Sequence, residues 1–296
     1  MQLEYHLCDV FTDTPFAGNQ LAVFPDAGHL STAQMQILAR ETNLSETTFI
    51  CRRDAAIEQE RGVRVRIFTT EEEFPFAGHP TLGTAATIRN LFPEYMNANL
   101  IRLDLNAGIV PVAFAATQTG SRAVYGEMTQ PEPVFGLKHD PERIAPLLGL
   151  SVEDLASQWI PQSVSTGLPQ CLVPLKSVEA LGRLRIDHSK AERYLRDSDA
   201  KFFYPIAPES DGVWRARMQW YGGEDPATGS AAGCAISYLV RNKIVASGTK
   251  VLIRQGIEIQ RPSSIYTSAK WLGEKIGEVR VGGSTVPVAN GRFFLE

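Results

Sequence analysis

The sequence predicts an α+β protein built from two strand-rich domains that echo one another, and three observations carry that expectation. At 296 residues the chain is longer than one ordinary hydrophobic core serves, so two domains of similar size are expected. Strand and helix patterns both occur, with strands dominating the opening third. A short turn sequence also recurs within the chain, once in full and once in part.

Apolar residues alternate at Leu3, Tyr5 and Leu7, at Val63, Val65 and Ile67, and at Ile101, Leu103 and Leu105, the period of half-buried strands. Ser31 with Gln34 forms a capping-box pair, and Met35, Leu38 and Thr42 then share a face, which predicts a helix from about Thr32 to Glu41. A strand Thr47–Ile50 follows, placing Glu46 at a loop-to-strand junction. Pro80 marks the first position of a second helix running through Thr81 to Leu91. Asp140–Pro141 opens a short helix that Gly149 closes, and Ser151 with Asp154 opens another. A last helix is expected from Ser230 to Asn242.

The echo pairs Pro15-Phe16-Ala17-Gly18-Asn19 with Pro75-Phe76-Ala77-Gly78-His79, and Ala227-Thr228-Gly229-Ser230 repeats its small-Gly-polar core. The two full copies predict one turn geometry used twice in the first domain, and the partial copy predicts its counterpart in the second. The loop composition of Thr117 to Ser121 puts the boundary there, giving domains 1–118 and 119–284.

Composition narrows the function. Hydrophobic residues make up 44% and charged residues 21%, globular proportions throughout. A formal net charge of −4, without a dense Lys/Arg stretch, gives no field for nucleic acid or anionic lipid, which leaves small-molecule chemistry. The first residues lack a signal-peptide pattern and no apolar run approaches a membrane span, so a cytoplasmic location is expected. Cys8, Cys51, Cys171 and Cys234 show no paired spacing, and clustered His/Cys motifs are missing, so neither a zinc site nor a disulfide framework is expected.

The chemistry-bearing candidates gather at two glycine turns. Ala77-Gly78-His79-Pro80-Thr81 opens a helix, whose unpaired N–H groups attract a carboxylate or phosphate. Of the five histidines, His79 alone lies at such a mouth. The turn Gly223 to Ser230 repeats this logic with Asp225 added, while its spacing and missing lysine rule out a P-loop and a dinucleotide fingerprint. The G-x-S-x-G elbow is absent. Glu46, wedged before an apolar strand, is a candidate for partial burial and proton exchange. In the run Glu71-Glu72-Glu73, only Glu73 lies close enough to the His79 turn to contribute.

These residues resemble an ordered motif set. Phe11-Thr-Asp-Thr-Pro-Phe-Ala-Gly-Asn19, Leu44-Ser-Glu-Thr-Thr-Phe49, Pro75-Phe-Ala-Gly-His-Pro-Thr81, Thr166-Gly-Leu-Pro169 and Glu224-Asp-Pro-Ala-Thr-Gly-Ser-Ala231 are similar, in order and across nearly the whole chain, to the motifs of the PhzF-like phenazine-biosynthesis isomerase family. The resemblance implies a diaminopimelate-epimerase-like fold: two pseudo-symmetric barrels, each around a central helix, with a cleft between them faced by both glycine turns. A final strand, about 285–296, would return to the first domain, and a homodimer is implied. It also implies a cofactor-independent isomerase that shifts a proton on a small carboxylate-bearing substrate. Glu46, His79 and Asp225 would be catalytic, and Asn19, Gly78, Gly229 and Ser230 would bind substrate. Relatives that epimerise through two thiols carry cysteines where this chain has Ala77 and Thr228, so that route is closed here. Gln20 after Asn19 and Met218-Gln219-Trp220 depart from the family pattern, and Trp220 would add an indole near the pocket. A non-catalytic binding protein of the same fold is the rival reading, and a thiol-based epimerase using Cys234 or Cys171 is a third.

Overall fold

The computed structural model describes residues 1–116, 120–220 and 223–295, with the side chain of Trp220 outside that description. The chain divides into two compact units, Met1–Thr129 with Gly282–Glu296, and Gln130–Val281.

The first unit contains β1 (Gln2–Val10), β2 (Asn19–Phe24), α1 (Thr32–Thr42), β3 (Thr47–Cys51), α2 (Ala55–Arg61), β4 (Val63–Phe68), β5 (Glu73–Phe74), α3 (Gly78–Leu91), β6 (Leu100–Leu105), β7 (Gly108–Phe114) and β8 (Val124–Thr129). The second contains β9 (Val134–Lys138), α4 (Pro141–Leu147), β10 (Gln162–Ser165), β11 (Pro169–Pro174), α5 (Val178–Gly182), α6 (His188–Arg196), β12 (Phe202–Ser210), β13 (Val213–Ala216), β14 (Gln219–Trp220), β15 (Gly223–Glu224), α7 (Gly229–Arg241), β16 (Val251–Gln255) and β17 (Ser263–Leu272). The last strand, β18 (Lys275–Phe294), begins in the second unit and ends in the first.

Strand pairing reveals the internal symmetry. Along β18–β1–β2–β3–β4–β6–β7 the successive pairings are antiparallel, antiparallel, parallel, antiparallel, parallel and antiparallel. The same order recurs along β9–β10–β11–β12–β13–β16–β17. A parallel pair needs a crossover connection, and the second crossover of each series holds the buried helix, α3 in one unit and α7 in the other. In the first unit β8 pairs with β18 and β18 with β1, so the strands close into a ring around α3. In the second, no pairing joins β9 to β18 among the described residues, and the strands wrap α7 as an open series.

Small side chains make these helices slim enough to enclose. Every residue of α3 from Gly78 to Arg89 is buried, as is every residue of α7 from Gly229 to Val240, and glycine, alanine, serine and threonine dominate both. At Gly83 a Cβ would come within 2.6 Å of Leu21 and 2.8 Å of Val10, so glycine sets how closely α3 approaches β1 and β2. Outside the ring, α1 seals a second apolar layer of Phe24, Met35, Leu38, Phe49 and Phe68. In the second unit α4, α5 and α6 do the same over Ile144, Leu148, Val173, Leu181 and Phe203.

Several expectations need correction. The first unit extends to Thr129 instead of 118, because β8 pairs with β7 and belongs to that unit; residues 117–119 of the expected boundary lie outside the described residues. The returning segment likewise begins at Gly282 instead of 285. The helix expected to begin at Pro80 begins two residues earlier, with Ala77 as its cap, and Ser151 opens only a single 3₁₀ turn, Val152–Asp154. The full copies of the echo do not share a geometry. Phe16 is exposed with φ 69° and Gly18 has φ 67°, leading into a strand, whereas Phe76 is buried and Gly78 is the first residue of a helix. The partial copy does match the second: Ala77 and Thr228 are the residues that cap α3 and α7, each followed by a glycine at the first helical position.

Candidate active site

In the first unit three predicted residues meet. Gly18, at φ 67°, has Val10 O so close that a Cβ would lie 2.4 Å from it, and this tight bend delivers Asn19 as the first residue of β2. Gly78 and His79 are the first two residues of α3. Asn19 Nδ2 lies 3.1 Å from His79 Nδ1, and His79 Nε2 lies 3.7 Å from Glu46 Oε2. The side chain of His79 is 4% exposed and that of Glu46 14%. His79 Nε2 is buried and has no hydrogen-bond partner among the described residues, an unusual state for a polar atom in a folded interior.

Burial governs the charge of this pair. It pushes the His79 imidazole down from 6.5 to about 3, outweighing a contact with the Gln20 backbone that favours the protonated ring. At neutral pH the ring is therefore uncharged, and its approach to Glu46 is not an ion pair. A neutral imidazole held on one nitrogen by Asn19 offers its other nitrogen toward the carboxyl group. Glu73 is not part of this site. It accepts from Arg66 Nε at 2.8 Å and from Asn106 Nδ2 at 2.9 Å, and Arg66 holds its carboxyl below the usual range.

In the second unit Asp225, Gly229 and Ser230 belong to one turn entering α7. Asp225 Oδ2 accepts from Thr228 Oγ1 at 2.6 Å, and the Asp225 N–H donates to Met218 O at 2.9 Å. Gly229 O accepts from Gln130 Nε2 at 2.9 Å, and Thr166 Oγ1 lies 2.7 Å from Gln130 Oε1, so the Thr166 motif braces the start of the helix. The hairpin β14–β15 ahead of Asp225 is anchored by a buried two-pronged pair, Arg217 Nε to Glu224 Oε1 at 2.8 Å and Nη2 to Oε2 at 2.6 Å. Residues 221 and 222 and the Trp220 side chain, whose effect on the pocket was in question, lie outside the described residues.

Gln255 and Gln130 went unnoticed in the sequence, although both are buried and hydrogen-bonded at this turn. The signal for Gln255 was available. In Val251, Ile253 and Gln255 it occupies the buried face of β16, where period-two patterning calls for an apolar residue.

Cysteine chemistry finds no support here. Burial drives the Cys8 thiol up to about 12, the Cys234 thiol up to about 11 and the Cys171 thiol higher still, so these groups are protonated at neutral pH. Neither capping residue, Ala77 nor Thr228, is a thiol. Among the described residues no group of three or more His, Cys, Asp or Glu side chains could hold a metal ion. No helix among them is long and apolar enough to cross a membrane. A cavity of about 530 Å³ in the second unit, lined by Pro169, Ile186, Leu195 and Phe202, contains none of the predicted site residues.

With two slim buried helices in repeated pairing series, each entered by a glycine turn, the chain has the diaminopimelate-epimerase-like fold. The sequence model for phenazine biosynthesis-like proteins matches residues 8–291, and the chain belongs to that family. It is an isomerase. It is 36% identical to the trans-2,3-dihydro-3-hydroxyanthranilate isomerase of Pseudomonas aeruginosa, covering 98% of this chain and 99% of the relative. It is also 36% identical to an uncharacterized isomerase of Mesorhizobium japonicum, covering 98% of each. Among solved structures, a "predicted epimerase" of P. aeruginosa is similar with a TM-score of 0.85 at 35% identity, covering 99% of this chain and 100% of that one.

Proposed function

We propose that this isomerase shifts a proton between two carbons of a small, unsaturated carboxylate-bearing substrate, with the Glu46 carboxyl as the carrier and no cofactor. The observation that carries the reading is the partly buried Glu46 beside a neutral, buried His79 whose Nε2 has no hydrogen-bond partner among the described residues. A carboxylate takes a proton from the carbon next to a double bond, and the electron pair of that C–H bond becomes a new double bond to the adjacent carbon while the old π pair moves to the far carbon. The double bond moves along by one position, and Glu46 returns the proton to the carbon at the far end, so atoms and electrons balance without an oxidant. His79, fixed through Asn19, steadies the substrate during that shift, and Asp225 keeps the catalytic role that the family resemblance implies. Gly78 offers a helix-mouth contact to the carboxylate, and Gly229 and Ser230 keep the substrate-binding role that the family resemblance implies. The capping positions support this division of labour, since neither Ala77 nor Thr228 exchanges protons at neutral pH. The name of the P. aeruginosa relative supplies the first compound to test, trans-2,3-dihydro-3-hydroxyanthranilate.

The test is Glu46→Gln. Turnover of that compound should fall by about 10²–10⁴-fold, the usual contribution of a positioned acid or base. Affinity for an aromatic analogue that cannot isomerise, measured by calorimetry, should change little. In D₂O the wild-type product should carry less than one full deuterium at the new C–H position, because the carrier returns part of the original proton. Undiminished turnover by the variant would remove Glu46 from the reaction.

A further inference from the structure

At position 228, a capping position without acid–base capacity in this chain, hydrogen bonds of the second unit link four residues in a chain. Gln255 is fully buried. Its Oε1 lies 3.2 Å from the Thr228 backbone N and 2.9 Å from Tyr204 Oη, and its Nε2 lies 2.8 Å from Asp225 O and 2.9 Å from Thr228 Oγ1. The orientation of this amide is dictated by its neighbours. The Thr228 N–H can only donate and the Asp225 carbonyl can only accept, so the amide oxygen must face the first and the nitrogen the second. Gln255 Nε2 therefore donates to the Thr228 hydroxyl oxygen, and the single hydroxyl proton is left for another acceptor. Two lie within reach, the Met218 thioether at 3.1 Å and Asp225 Oδ2 at 2.6 Å. The carboxylate is both closer and the far stronger acceptor. The strand end is itself shaped to this turn. Gly256 has φ 76°, and a Cβ there would lie 2.6 Å from Pro226 O, so the backbone after Gln255 rests directly on the residue after Asp225.

We propose that Thr228 is a positioning residue, its hydroxyl oriented by Gln255 to hold the Asp225 carboxyl group in one rotamer. The inference rests on the role given above to Asp225. The chain Tyr204–Gln255–Thr228–Asp225 fixes the direction of each hydrogen bond from the buried end outward, so the clamp is set before substrate arrives. The position that bears an acid–base thiol in two-thiol relatives here holds the neighbouring carboxylate.

The test compares Thr228→Val with Thr228→Ser in the full-length protein. Valine keeps the shape of threonine and the backbone bond to Gln255 and removes only the hydroxyl; serine keeps the hydroxyl. With trans-2,3-dihydro-3-hydroxyanthranilate as the probe, Thr228→Val should lower kcat/KM about tenfold or more, the scale of losing a hydrogen bond to a charged group. Thr228→Ser should restore it to near wild type. A second readout needs no turnover: amide exchange of the Asp225 N–H should quicken in the valine variant and not in the serine variant. If Thr228→Val matches wild type in rate and exchange while Asp225→Asn is inactive, the clamp is overturned and the role of Asp225 stands. A fully active Asp225→Asn overturns the role of Asp225 and the clamp with it.

Discussion

Burial of His79 as a neutral ring carries a pH signature. In the unfolded chain an imidazole titrates near 6.5, and in the folded protein burial lowers that to about 3. Between these values the unfolded chain binds a proton that the folded chain refuses. Stability is therefore fully present above about pH 6.5 and is lost as pH falls toward 3, by up to about 1.4 kcal/mol per pH unit. Integrated from pH 7 to pH 5, His79 alone should account for a loss of about 2 kcal/mol. Urea unfolding of wild type and His79→Gln at the two pH values isolates it: the wild type should lose about 2 kcal/mol more than the variant, and equal losses would show that His79 is solvated or charged. The residues of this site were legible in the sequence as types, yet their meeting was not. Asn19 and His79 lie 60 positions apart, and nothing in their spacing says that the bend at Gly18 delivers one to the other. The echo that drew attention to both proved to be two different backbone geometries ending at one contact.

At the scale of elements, legibility followed locality. The capping box at Ser31 and Gln34 is a local device, and α1 forms where it predicts, ending at Asn43 in the left-handed conformation. Ser151 and Asp154 form the same box, but the chain turns back to pair Leu155 with Leu175, so the turn goes no further. The central helices were legible as helices, and their enclosure was written in their small residues. Gly83 tests this point. In Gly83→Ala the helix propensity improves by up to about 1 kcal/mol, but the new methyl would press within 2.6 Å of Leu21 and 2.8 Å of Val10. Overpacking of this kind costs about 1–3 kcal/mol, so a net loss is expected. A denaturation midpoint at or above wild type would show that β1 and β2 yield to the helix. Because Leu21 lies two residues from Asn19, the same variant should also weaken binding of the aromatic analogue if the strand shifts instead of the helix.

The whole molecule depends on one strand. β18 takes its first residues from the second unit, and its remainder closes the ring of the first by pairing with β1 from Gln2 to Val10 and with β8. A ring of strands has no edges, and opening one exposes two rows of backbone N–H and C=O groups along apolar strands. The expected returning segment could be placed in the sequence through the family resemblance, but its partner strands could not, since pairing across nearly the full length of the chain has no local signature. Deleting residues 282–296 would remove every β18 partner of β1 and open the ring around the buried helix α3. The truncated chain should lose its near-ultraviolet circular dichroism and aggregate, whereas a chain shortened only by residues 295 and 296, beyond the end of β18, should keep both spectrum and solubility. A monodisperse truncated chain with a native spectrum would mean that the first unit holds α3 without closing its ring. The contrast between the two deletions separates the pairing of β18 from any effect of shortening the terminus, because only the longer one removes the residues opposite Leu3, Leu7 and Asp9.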